Sequence, residues 1–168
     1  MRGTVLWALS WAPVAISVNQ TIGQLTWVRG SSMRPSLNPD SSLGAHDLLV
    51  LKKYGLRKPG GIVKGDVLVF RSPMDAERVM VKRVLGTAGD TVRPRPTSTY
   101  PKKQVKIPAN HVWLEGDNVH SIDSNTFGPV STGLVIGKAV QVIYPFSRWG
   151  QVSAGGREDA VVQPTEYK

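Results

Sequence analysis

The sequence predicts a mainly β fold, one β-rich domain behind an N-terminal hydrophobic anchor helix, and three observations carry that expectation. Short runs rich in Val, Leu and Ile alternate with turns in a chain holding 17 Gly and 12 Pro, the composition of strands joined by tight connections. The β-branched content and turn-flanked length of those runs favour strands over helices. Residues 4–28 carry no charge and follow Arg2, a stretch near the ~20 residues a helix needs to cross a bilayer.

Each element follows in order. The anchor is placed at residues 1–28, although Pro13, Asn19, Gln20 and Gln24 weaken its apolarity. A cleaved signal peptide is the competing reading, but cleavage would leave the turn that follows at a frayed terminus. The sequon at Asn19 lies within the anchor and is not expected to be used. Strands are expected at 47–52, 66–71, 79–85, 111–115 and 134–143. A turn at 86–90 precedes a Pro- and Lys-rich excursion over 91–107. The domain is drawn as 29–152, and residues 153–168 as a polar, disordered tail.

At 168 residues the chain suits one domain with a core large enough to stand without disulfides or metal. It has no cysteine, which excludes thiol catalysis and thiolate metal sites. The net charge of +9 is scattered in pairs such as Lys52-Lys53, Arg57-Lys58 and Lys102-Lys103, with few aromatics between them for base stacking. A solvated basic face, or attraction to an anionic membrane surface, is favoured, and no nucleic acid partner is expected.

Three segments carry chemistry. The octet Gly30-Ser31-Ser32-Met33-Arg34-Pro35-Ser36-Leu37 presents a serine hydroxyl on a turn, and such a hydroxyl needs a base to become a nucleophile. His46, His111 and His120 form no metal-binding pattern, and His120 beside Ser121 points to the opposite face of an extended segment. In Val79-Met80-Val81-Lys82-Arg83-Val84-Leu85, alternation places Lys82 among Met80 and Val84 and puts Arg83 on the other face. A lysine there either snorkels to water or is desolvated, with a lowered pKa that lets the neutral amine accept a proton. The third segment, 116–129, is dense in Gly, Asp, Asn and Ser, a hydrogen-bonded turn with too few carboxylates for calcium.

In this order the three segments resemble the type I signal peptidase family, membrane-anchored Ser-Lys endopeptidases of β-rich fold, over about residues 30–142. The resemblance rests on Ser-Met-x-Pro-Ser-Leu, Gly-Asp-Val-Leu-Val-Phe, Val-Lys-Arg-Val-Leu-Gly-x-x-Gly-Asp and Gly-Asp-Asn-x-x-Ser-x-Asp-Ser taken jointly. It implies Ser32 as nucleophile, Lys82 as general base, Ser121 as the hydroxyl that orients the lysine, and Asp123 paired with Arg83 as a brace. Met33 and Pro35 would shape the turn, and Val69 and Phe70 would lie along the substrate groove. It implies no metal or organic cofactor.

Two departures stand out. Gly30 replaces a hydroxyl residue common in bacterial relatives, and Asn125 stands where Arg is frequent, leaving Asp123 to Arg83. The His-Ser-Ile-Asp-Ser-Asn-Thr-Phe-Gly-Pro version of residues 120–129, the compact size and the single N-terminal anchor are similar to the mitochondrial inner membrane protease branch of the family. That branch implies a catalytic domain in the intermembrane space, precursor proteins with cleavable sorting peptides as substrates, and a paralogous subunit 1 as partner. Two other readings remain open. One is a self-cleaving repressor-type Ser-Lys protein, against which the N-terminal apolar run argues. The other is a non-catalytic assembly subunit, against which the retention of Ser32, Lys82, Ser121 and Asp123 argues.

Overall fold

The structure is a computed structural model that describes residues 10–11, 23–39, 46–153, 155–157 and 160–161. Its framework is an eight-stranded antiparallel sheet. The strands are β1 (Gly23–Trp27), β2 (Leu48–Lys52), β3 (Val67–Arg71), β4 (Val79–Gly86), β7 (His111–Glu115), β8 (Val130–Ser131), β9 (Val135–Tyr144) and β10 (Gly150–Gln151). The order is β1-β2-β9-β3-β4-β7-β8, with β10 adding to β9. A separate two-stranded ribbon joins β5 (Thr91–Val92) to β6 (Val105–Lys106). A short α-helix, α1 (Ser124–Phe127), lies between β7 and β8.

The expected strands appear within a residue or so of their sequence limits because their residues suit them. Val-Leu-Val-Phe in β3 is buried at all four positions, as a central strand covered on both faces requires. In β2, Leu49 and Leu51 turn inward while Leu48 and Val50 are half-buried. Ten-residue β9 pairs with both β2 and β3. Register shifts along each pairing let this one strand serve both neighbours, the bending role of β-bulges.

The apolar residues divide into three clusters. The first joins Val28, Met33 and Leu37 to Leu49, Leu51, Val67, Val69, Ala139 and Val142, so the serine turn is nailed to the sheet by its own side chains. The second holds Leu68, Phe70, Met80, Val84, Val112, Leu114 and Val130. The third packs Trp113 against Leu85 and the β5–β6 ribbon.

Two expected boundaries are corrected. Gly23–Trp27 is strand β1, paired residue for residue with β2, so the end of the 1–28 segment belongs to the sheet. Residues 1–9 and 12–22, and with them most of the expected anchor and its Asn19 sequon, lie outside the described residues. Among the described residues no helix is long and apolar enough to cross a membrane.

The expected disordered tail is held where it is described. Ala160 is buried, its carbonyl accepts from the Arg93 N–H, and Val161 bridges to Val92. Two apolar residues and an Arg gave the tail enough grip that its polar composition concealed. Residues 154, 158–159 and 162–168 lie outside the described part.

Candidate active site

Ser32 sits in a turn fixed from both sides. The Leu37 N–H donates to the Met33 carbonyl at 2.8 Å, and the Met33 and Leu37 side chains are buried in the first cluster. Asn38, itself buried, donates from Nδ2 to the carbonyls of Val28 (2.8 Å) and Gly30 (3.2 Å). It also exchanges hydrogen bonds with Asp47, whose carboxylate is paired with Arg148. Gly30 has φ of +92°, a conformation that strains any residue with a Cβ. That backbone accounts for a glycine at position 30.

Lys82 and Arg83 follow one another on β4, and both are buried, at 2% and 1% exposure. Lys82 stands opposite Leu68 of β3 and lines a cleft of about 650 Å³ together with Ser32 and Ser121. Among the described residues it forms no ion pair. Burial lowers its pKa from 10.5 to about 8, because the ammonium loses its hydration. Asp123 and Asp117 oppose that shift, while Arg78 and Arg95 add to it.

The third wall is the loop after β7. The Asn118 N–H donates to the Ser32 carbonyl (3.1 Å), and its Nδ2 donates to the Ser31 carbonyl (3.2 Å). A Cβ on Gly116 would fall 2.2 Å from Ser121 Oγ and 2.4 Å from the Ser32 carbonyl oxygen. Only a bare α-carbon lets the loop and the serine turn close on each other. The Ser121 hydroxyl donates to Asp123 Oδ2 at 2.8 Å, which leaves its lone pairs to accept from an amine.

The expected Asp123–Arg83 ion pair is not formed, and the loop is braced differently. Arg83 forks onto Asp117, with Nε and Nη2 at 2.9 and 2.8 Å from its two oxygens. Its Nη1 reaches the carbonyls of Gly65 and Ser153. Asp123 is fully buried and accepts four neutral hydrogen bonds instead. The donors are the Gly116 N–H, the Ser121 hydroxyl, and the N–H and Nδ2 of Asn125. It is also the N-cap of α1, so Asn125 supplies two of the donors that Arg83 does not.

The structure thus gathers Ser32, Lys82 and Ser121 around one cleft, with Asp123 directly behind Ser121. Val69 lines the same cleft. Phe70 does not, since it points into the second cluster, as alternation along β3 demands. Met33 anchors the turn from inside the core, and Pro35 is exposed on its outer side. Sequence reasoning missed Asn38, Asp47 and Arg95. The Asn38-Pro39 pair was a turn signal, but nothing local linked it to Asp47 or Arg148.

Comparison with known proteins gives the class. The family model described as signal peptidase, peptidase S26, matches residues 1–101 and 94–144. The chain belongs to that family and is a serine endopeptidase of the signal peptidase I type. It is 44% identical over 151 residues to mitochondrial inner membrane protease subunit 2 of Saccharomyces cerevisiae, covering 89% of this chain and 84% of that protein. The subunit 2 of Schizosaccharomyces pombe is 42% identical over 155 residues, covering 90% and 82%. Subunit 1 of the same yeast is 37% identical over 133 residues, covering 79% and 80%. A crystal structure of a signal peptidase I from Enterococcus faecalis V583 aligns at a TM-score of 0.37 and 21% identity, covering 45% of this chain and 94% of that one.

Proposed function

We propose that the chain cleaves sorting peptides by a Ser32–Lys82 dyad. The observation that carries this reading is a buried lysine whose pKa is lowered to about 8, in one cleft with a serine on a fixed turn. Neutral Lys82 accepts the Ser32 proton as Oγ attacks the scissile carbonyl, giving a tetrahedral oxyanion beside the Ser32 backbone N–H. Collapse of that intermediate breaks the C–N bond, and the Lys82 ammonium returns the proton to the leaving amine. Water, deprotonated by Lys82, then attacks the acyl-enzyme, and Ser32 leaves with the proton. Ser121 holds the amine in line, and Asp123 holds Ser121.

Backbone edges supply a place for substrate. β4 pairs with β3 from Val79 onward, but β7 pairs only with its Arg83–Gly86 half. One side of residues 79–82 is therefore unpaired by any described strand. β1 pairs with β2 alone, and residues of both β1 and β4 line the cleft. An extended peptide adds between them as a strand, with alternate side chains read in pockets.

The relatives named as subunits 1 and 2 of the mitochondrial inner membrane protease support a place for this chain in such a complex. In this reading it is tethered by its N-terminal apolar segment with the cleft facing the intermembrane space. Its partner is a paralogous subunit 1. A row of exposed aromatics is consistent with a membrane-facing rim. It starts with Trp27 at the cleft and runs through Tyr144, Phe146 and Trp149, and such rings favour the interface.

The test is cleavage of a membrane-anchored precursor with Ala at the scissile site, with the partner subunit present. Ser32→Ala is expected to abolish cleavage while remaining folded and assembled. Unchanged cleavage would assign the chemistry to the partner.

A further inference from the structure

Arg95 lies in the excursion between β5 and β6, and no residue of 87–110 lines the cleft. Its contacts nevertheless converge on the loop that holds the serine turn. Nε donates to Glu115 Oε2 at 2.9 Å, Nη2 to the Gly116 carbonyl at 2.8 Å, and Nη1 to the Asn118 carbonyl at 3.4 Å. Its backbone N–H donates to Asn125 Oδ1 at 2.7 Å. One residue therefore ties the start, middle and end of the 116–125 loop. Two of the groups it holds border the site directly: Asn118 donates to Ser31 and Ser32, and the Gly116 α-carbon abuts Ser32 and Ser121.

We propose that Arg95 is a positioning residue for the Ser32–Lys82 chemistry, fixing the Gly116–Asn118 backbone and, through it, the Ser31 and Ser32 carbonyls. The inference rests on the function proposed above. A planar fork is needed because carbonyls on successive parts of a loop must be met from one side at fixed angles, and a lysine ammonium offers no such geometry.

Arg157 provides the contrast. It shares Glu115 with Arg95, at 3.3 and 3.0 Å, and its Nη2 also donates to the Arg93 carbonyl at 2.6 Å, a group of the excursion after β5 and not of the 116–125 loop. Glu115 is kept below the usual carboxylate range, since hydrogen bonds from Arg157 and Trp113 and the charges of Arg157 and Arg95 outweigh the upward push of burial. The carboxylate thus persists as the shared anchor for both arginines.

Arg95 also contributes charge. The charges that act on Lys82 are the carboxylates of Asp123 and Asp117 and the guanidinium groups of Arg78 and Arg95, and His120 stands on the cleft wall. Removing Arg95 removes one of the two cations that favour the neutral amine.

The experiment uses the full chain with its partner subunit and compares Arg95→Ala, Arg95→Lys, Arg157→Ala and Ser32→Ala on the precursor above. Arg95→Ala should lower kcat on the order of ten- to a hundredfold, the range a displaced reacting group produces. KM should change little, and the ascending limb of the pH profile should move to higher pH. Arg95→Lys keeps the charge and loses the fork, so kcat should fall with the limb near its original place. If Arg95→Ala does not fold, Arg95→Lys decides by its kcat. Arg157→Ala should melt lower with kcat and the limb unchanged. Wild-type kcat in the Arg95 variants, or an equal kcat loss in Arg157→Ala, would overturn the role, the second result because it would make Glu115 the operative group. Loss of cleavage in Ser32→Ala alongside either result would leave the dyad standing, whereas cleavage by Ser32→Ala would overturn both.

Discussion

The two faces of β4 hold neighbouring cations under opposite conditions. Arg83 is buried with a forked carboxylate partner and two carbonyls. Lys82 is buried just as deeply with no ion pair among the described residues. Guanidinium cannot shed its proton inside a protein, so its burial is tolerable only with the charge fully met. An amine can escape the cost by becoming neutral. The strand therefore uses one cation as a brace and leaves the other poor in partners, and that poverty suits Lys82 to the proposed role of base.

The largest way to break this contrast is Lys82→Met. Cleavage should be abolished, as measured on the anchored precursor, because an isosteric apolar side chain cannot take the Ser32 proton. A variant that still cleaves at the wild-type rate would remove Lys82 from the chemistry.

Asp117→Ala attacks the other face. It strands the Arg83 charge in the interior and should cost about 3–5 kcal/mol of stability, read from urea unfolding. A loss near zero would mean that the carbonyls of Gly65 and Ser153 satisfy Arg83 alone.

The same comparison has a pH signature. Folding lowers the Lys82 pKa from 10.5 to about 8, so between those values the unfolded chain binds the additional proton. The penalty is fully present below about pH 8 and fades as pH rises toward 10.5. At about 1.4 kcal/mol per pH unit it amounts to on the order of 3 kcal/mol. At pH 7 Lys82→Met should therefore be more stable than wild type by up to that amount, and the rise in stability between pH 8 and 10.5 attributable to this group should vanish. The smallest effect is kinetic: kcat/KM of the wild type should climb with a midpoint near pH 8, as a base of that pKa requires.

Much of this was legible in the sequence because it was local. Strand limits came from β-branched runs, and alternation with Met80 and Val84 left Lys82 either snorkelling or desolvated, a choice that its burial in the structure decides. The Ser32 turn was visible in its Gly and Pro. What escaped depended on partners distant in the chain. Arg83 finds Asp117 rather than Asp123 because α1 turns the Asp123 side chain back onto its own loop, where Asn125 and Gly116 meet it. Asn38 holds the Val28 and Gly30 carbonyls but is itself fixed by Asp47, which Arg148 pairs, and β1 hid inside an uncharged run whose hydropathy suited an anchor. The tail looked too polar to dock because its grip lies in single residues, Arg157 and Ala160, and not in a pattern.

That docked segment has a consequence for how the molecule is made. Arg83 donates one of its hydrogen bonds to the Ser153 carbonyl, and Glu115 takes one of its arginines from position 157. Synthesis makes a chain from its N-terminus, so the serine turn, the lysine strand and the loop are all present before those last partners arrive. A ribosome that stops short of Ser153 releases a product carrying all three segments but lacking two of their fastenings, and quality-control proteases would find that product loose where the finished chain is closed.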